Sequence, residues 1–170
     1  RAYIFMGGVK VKKCTYLNIL RGEPCAYAEI VGSEKYPKIK GRISFYEADG
    51  GVLAAAEVCG LPECSGKYPY PVFGFHIHEG GRCCGNEKDP FADSGGHYNP
   101  MKTLHPYHSG DMPPLFGNRG YAFMVFLTCR FSIREIIGRT VIIHSMADDF
   151  MTQPSGDSGE KIACGVIKSC

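Results

Sequence analysis

Tryptophan is missing from this sequence, and so are a long apolar run, a Cys-x-x-Cys pair and any histidine before position 76. Each absence excludes something. No stretch approaches the roughly 20 apolar residues that an α-helix needs to span a bilayer, so no membrane span is expected. Without Cys-x-x-Cys, a thiolate zinc site has no motif to rest on. Basic residues are not interleaved with stacking aromatics in any recognition motif, so nucleic acid is not an expected partner. The start also lacks signal-peptide form. Tyr3-Ile4-Phe5-Met6 is too short for an apolar signal core, and Lys12-Lys13 follow it rather than precede it. The first residue is Arg1. The expected location is cytoplasmic if the chain is complete and extracytoplasmic if a leader has been removed.

What is present fits one domain with one core: 170 residues, 44% hydrophobic and 21% charged. The net charge of +2 is unevenly spread, with nine Lys/Arg against three Asp/Glu in residues 1–42. That basic excess lies away from the histidines. Nine cysteines are more than a core of this size needs as scaffold. Most are expected to be small buried hydrophobes or free thiols, with one or two disulfides at most.

Residues 1–25 show no clear period and read as an extension of unknown role. From 26 to 170, short β-rich runs alternate with turns, at 26–32, 38–47, 52–60, 73–78, 121–128, 140–144 and 162–167. Asp49-Gly50-Gly51 is a strong hairpin signal. A weak helical pattern covers 132–137. Seven or eight short strands predict an all-β, eight-stranded Greek-key β-sandwich or barrel. Two long connections, 80–114 and 145–161, interrupt it, and long irregular loops in a small domain are usually functional. Residues 121–127 are apolar on both faces, which fits either a homodimer contact or deep burial.

All six histidines fall between His76 and His144. On a strand, His76 and His78 share a face opposite Phe75 and Ile77. His97 follows two glycines. His105, His108 and Asp111 lie within seven residues, and His144 ends a β-branched run. Imidazoles suit copper and zinc, and a carboxylate favours zinc at its subsite. Six histidines and an aspartate are too many ligands for one ion. Two metals use them all if His97 bridges: copper with His76, His78, His97 and His144, and zinc with His97, His105, His108 and Asp111.

Phe75-His76-Ile77-His78-Glu79, Gly95-Gly96-His97-Tyr98-Asn99-Pro100, His108-Ser109-Gly110-Asp111-Met112-Pro113, Gly138-Arg139-Thr140-Val141-Ile142-Ile143-His144, Ala147-Asp148-Asp149 and Ala163-Cys164-Gly165-Val166-Ile167 resemble the copper/zinc superoxide dismutases in their bacterial form. The motifs keep order and spacing from about residue 26 to 167. The resemblance implies the same ligand roles, with His97 as the bridge. It implies that Asp148 links a copper-ligand to a zinc-ligand histidine, and that Cys83 and Cys164 form a disulfide, although Cys84 stands next to Cys83. Lys161 occupies the place where the family usually carries a substrate-guiding arginine. It keeps the charge without the planar fork.

The expected reaction is disproportionation of superoxide to dioxygen and hydrogen peroxide, with His97 and Lys161 as the catalytic residues beyond the metals. Three other readings compete. A non-catalytic copper/zinc binder would keep the ligands without turnover. A cupin-type enzyme shares H-x-H on a barrel but places its carboxylate differently. A purely structural sandwich leaves the histidine clustering unexplained.

Overall fold

In β3 (Ala26–Gly32) Ala26, Ala28 and Ile30 are buried while Glu29 faces solvent. β4 (Lys40–Ala48) buries Ile43 and Phe45, and β5 (Gly51–Cys59) buries Ala54, Ala56 and Val58. This two-residue alternation is that of strands with one face on a core and the other outside. The computed structural model describes residues 3–6, 9–12, 15–63 and 70–170. Cys14 and Cys64 lie outside the described residues.

The remaining main strands are β6 (Val72–Phe73), β7 (Phe75–His78), β8 (Leu115–Phe116), β9 (Tyr121–Thr128), β10 (Thr140–His144) and β11 (Lys161–Ser169). Seven of the nine strands β3 to β11 form one antiparallel sheet in the order β7-β10-β11-β3-β4-β5-β9, and β6 pairs separately with β8. The sheet curls into a half-barrel of the expected all-β Greek-key class. Near the start, β1 (Tyr3–Met6) pairs with β2 (Val9–Lys12), and a short α1 (Thr15–Ile19) follows. No period in the sequence announced these three.

The Asp49-Gly50-Gly51 hairpin joins β4 to β5. Gly50 and Gly51 take φ of +93° and +144°, values that side chains disfavour. The helical pattern near 132–137 becomes α2 (Ile133–Ile136), where the Ser132 N–H donates to Glu135 Oε2 at 2.7 Å.

The structure departs from the sequence reading at Gly74 and decides between its alternatives for the burial of β9 and for the cysteines. The run 73–78 is broken at Gly74, whose N–H donates to Met146 O at 2.7 Å and whose carbonyl accepts from the His144 N–H at 2.8 Å. β9 is not deeply buried, because it ends the sheet: Ala122 faces in, but Phe123 is 62% exposed and Leu127 43%. The free cysteines among the described residues, Cys25, Cys59, Cys84, Cys129 and Cys170, are all exposed rather than buried.

One end of the sheet differs from the rest. Every residue of β7 and β10 is buried, as are Ile162 to Gly165 of β11. One face packs Phe75, Ile77, Val141, Ile143 and Ala163 into the core. The other face carries His76, His78 and His144, and the two long loops cover it. Isolated bridges His76↔Asp111 and His78↔His97 lay the first loop along β7. A Cβ at Gly110 would collide with Ile77 O, so this close approach needs glycine.

Candidate metal centre

The register of the strands sets the frame. β10 pairs with β7 so that Ile142 faces His76, and with β11 so that His144 faces Lys161 across a bulge. His76, His78 and His144 thereby project on one face. The loop bridge at His78 adds His97. These four bring ligand atoms within 4.8 Å of one another, and all four residues are buried. His97, His105, His108 and Asp111 form a second buried group within the same limit. His97 belongs to both.

Hydrogen bonds determine which ring nitrogen each histidine offers. His76 Nε2–H donates to Asp148 Oδ2 at 2.7 Å, which leaves Nδ1 as a buried atom without a partner. His78 Nδ1–H donates to Gly95 O at 2.8 Å and His144 Nδ1–H to Gly159 O at 3.3 Å. Their Nε2 atoms are left facing each other at 3.2 Å. Two lone pairs this close are a stable arrangement only with a cation between them. His105 Nε2–H donates to Asp148 Oδ1 at 2.8 Å, freeing its Nδ1, which lies 3.1 Å from Asp111 Oδ2. His97 Nδ1 lies 2.8 Å from Asp111 Oδ1 and 3.4 Å from His108 Nδ1. Its Nε2 is buried and unpartnered, and is the atom left for the first group.

The donor chemistry therefore fits both ions. The first group offers four imidazole nitrogens, which suits copper. The second offers three imidazoles and a carboxylate, a tetrahedral zinc set. Asp148 spans the two groups by accepting one N–H from each.

The electrostatics favour ligand-ready imidazoles. Burial pushes the His76 pKa down to about 4 and the His144 pKa down to about 3, and burial also drives His78 well below the usual histidine range. His108 moves the same way for the same reason. Such rings stay neutral and keep a lone pair for a metal. Burial alone would raise the two carboxylates. For Asp111 the hydrogen bond from His97 and the charges of the neighbouring rings outweigh it. For Asp148 the donors at His76, Phe150 N and His105 do so. Both carboxylates are held below the ordinary range.

The second loop is pinned where Asp148 needs it. Gly156, at φ +72°, packs so closely that a Cβ would collide with Asp148 Oδ1. Gln153 clamps His105: its Nε2 donates to His105 O at 2.8 Å and its Oε1 accepts from His105 N at 3.0 Å. Arg130 Nη1 donates to Pro106 O and His108 O at 2.8 and 2.9 Å. Sequence reasoning missed Gln153 and Arg130. Each acts across a long separation through backbone atoms, and no local motif marks such a partner.

Cys83 and Cys164 are joined, with Cα atoms 5.6 Å apart, and Cys84 is free. The bond anchors the first loop on β11 beside Phe91 and Ile142. A cavity of about 350 Å³ opens over the first histidine group, lined by His78, His97, His144, Lys88, Asp89 and Lys161 among others. Lys161 stands at this cavity, but its charge is not free. Nζ donates to Asp89 Oδ2 at 2.8 Å and to Phe91 O at 3.2 Å. Asp89 was not anticipated.

A half-barrel whose loops gather two histidine groups around one shared imidazole defines a two-metal β-barrel protein of the copper/zinc type. The family profile "Copper/zinc superoxide dismutase (SODC)" matches residues 39–167, and the chain belongs to this family. Superoxide dismutase [Cu-Zn] 2 of Aquifex aeolicus is 33% identical over 159 residues, covering 84% of this chain and 86% of that protein. Superoxide dismutase [Cu-Zn] of Deinococcus radiodurans is 29% identical over 180 residues, covering 95% and 92%. That of Photobacterium leiognathi is 37% identical over 111 residues, covering 57% and 64%.

Proposed function

We propose that this protein is an oxidoreductase that disproportionates superoxide, turning two superoxide anions and two protons into dioxygen and hydrogen peroxide. The observation that carries this reading is His97, whose two nitrogens serve two different groups of buried donors. When bound, copper supplies a one-electron redox cycle at the first group, and zinc, which has no redox chemistry, supplies a fixed charge at the second.

The residues do the rest. His76, His78 and His144 would hold copper through Nδ1, Nε2 and Nε2, the nitrogens left free because the other one of each ring donates to Asp148, Gly95 O or Gly159 O. His105, His108 and Asp111 would hold zinc together with His97. Asp148 orients His76 and His105 together. His97 lines the cavity, so its ring is placed to hand a proton to an anion bound there. Lys161 attracts the small anion into the cavity, as steering by surface charge does generally; superoxide dismutase is the standard example of such steering. Residues 26–170 make up this metal-binding domain, with 1–25 as an extension.

The test is reconstitution. The copper- and zinc-loaded protein is expected to remove superoxide in a stopped-flow assay. His97→Ala is expected to lose most of the rate and to alter occupancy of both sites. Copper uptake without turnover would overturn the enzymatic reading in favour of storage.

The partner reading extends to a homodimer through β9. Its edge position and its exposed Phe123 and Leu127 support this, because exposed apolar edges are normally covered. Sedimentation should give a dimer that Phe123→Lys dissociates. A monomer at micromolar concentration removes the proposal.

A further inference from the structure

β3 and β11 pair antiparallel with Ala26 opposite Ser169, so Cys25 and Cys170 are the next pair in the same register. The pairing does continue: the Cys170 N–H donates to Cys25 O at 3.2 Å. Directly opposed residues of antiparallel strands lie about 4.5–5.5 Å apart at Cα, within the range a disulfide spans. Their side chains leave the sheet on one face. Both thiols are free and exposed. Cys25 is held, since its N–H donates to Phe45 O at 2.9 Å. Cys170 follows the last residue of β11.

No other free cysteine among the described residues faces a second one across a ladder. Cys59 stands opposite Tyr121 and Lys40, with its Sγ–H donating to Lys40 O at 3.3 Å. Cys129 follows the end of β9, and Cys84 neighbours a cysteine already bonded to Cys164.

We propose that Cys25 and Cys170 are a modification site: a thiol pair that hydrogen peroxide closes into a second disulfide. The proposed function bears on this only by making the oxidant. One sulfur attacks a peroxide oxygen. The O–O bond breaks, and a sulfenic acid and one water result. The second sulfur then displaces the hydroxyl, the S–S bond forms, and a second water leaves. Two thiols and one peroxide become one disulfide and two waters, with sulfur oxidised and peroxide oxygen reduced. The product joins the first strand of the large sheet to its last. β11 is then covalently tied at both halves, by Cys164 to the loop and by Cys170 to β3.

The test adds hydrogen peroxide to the purified protein, blocks remaining thiols under denaturing conditions, and maps unreduced peptides by mass spectrometry. The expected result is a linked peptide joining Cys25 to Cys170, absent in Cys170→Ser. It should come with a rise of several degrees in thermal midpoint that a dithiol reductant reverses in a Cys83→Ser/Cys164→Ser background. If that background does not fold, the peptide map of the native sequence decides alone. Full alkylation of both thiols after peroxide, or linkage of either to another cysteine or a second molecule, overturns the proposal. Because the peroxide is added, a protein inactive toward superoxide still gives the bond, so failure of one reading is separable from failure of the other.

Discussion

Lys161 Nζ sits 2.8 Å from Asp89 Oδ2 at the wall of the cavity above the histidines. The lysine side chain is 15% exposed and the aspartate 38%, so solvent screens the pair only in part. An anion entering the cavity meets a positive charge already shared with a carboxylate. Asp89 therefore both holds the lysine in place and weakens its pull.

Two substitutions separate these effects. Lys161→Ala is expected to lower kcat/KM for superoxide on the order of tenfold at low ionic strength, with the deficit shrinking as salt rises. Asp89→Asn is expected to raise kcat/KM at low salt and to steepen its salt dependence. Stopped-flow decay of superoxide across a salt series measures both. If both variants slow the enzyme equally at every salt concentration, Asp89 is a scaffold and not a brake.

The contrast shows what the sequence could carry. The ligands were legible because each lies in a short local pattern: a two-residue alternation for His76 and His78, a glycine-flanked His97, and a tight cluster from His105 to Asp111. The sheet was legible for the same reason, since Ala26, Ala28 and Ile30 alternate visibly. Asp89, Gln153 and Arg130 were not. Their partners lie 72, 48 and 22 to 24 residues away and are mostly backbone atoms or loop charges, which no spacing reports. The extent of burial of β9 was also ambiguous, because an apolar strand looks alike in a core and at an edge. The break at Gly74 follows from the second loop reaching back to it, with Met146 O accepting the Gly74 N–H, a tertiary event.

Asp148 accepts from His76 at 2.7 Å and from His105 at 2.8 Å, using one oxygen for each. Asp148→Asn turns one of those acceptors into an NH2 that faces an N–H. One imidazole must then rotate, change tautomer or lose its bond. Loss of such an orienting partner typically weakens metal binding about 10–100-fold. Zinc and copper affinities, measured by competition with a chelator, are expected to fall within that range in the variant. Unchanged affinities for both metals would show that the loops alone position His76 and His105.

The metal-free protein should lose stability as acid is added, beginning above the carboxylate range. His76 and His144 have folded-state pKa values of about 4 and about 3, below the ordinary 6.5. Between 6.5 and those values the unfolded chain binds protons that the folded one refuses, so stability falls as pH falls through this window. Asp148 and Asp111 are depressed below their ordinary 3.8. Their contribution is intact above 3.8 and is lost only at lower pH. Urea midpoints at about pH 7 and about pH 5 isolate the histidine part. The midpoint should drop at the lower pH, and His144→Gln, which cannot take the proton, should flatten the slope. A pH-independent midpoint across that interval would mean that these rings are already accessible to protons in the fold.

The Cys83–Cys164 bond closes a separation of 81 residues. Constraining that much unfolded chain contributes about 4 kcal/mol in the loop-entropy account. The bond also fixes the segment that contains Asp89 and Phe91, and with it both acceptors of Lys161. Reducing it should therefore act at two levels. Cys83→Ser is expected to lower the thermal midpoint by roughly 8–16 °C, since about 1 kcal/mol corresponds to roughly 2–4 °C at this chain length. In protein that is still folded, it should also raise kcat/KM at low salt and steepen its salt dependence, as Asp89→Asn does, because Lys161 is released from both acceptors. Zinc affinity should change less, because His105, His108 and Asp111 are held by Gln153, Arg130 and Asp148, none of which the disulfide touches. A variant that lost zinc and copper together with its salt dependence would instead place the whole first loop, from Gly80 to Pro114, under the control of that single bond.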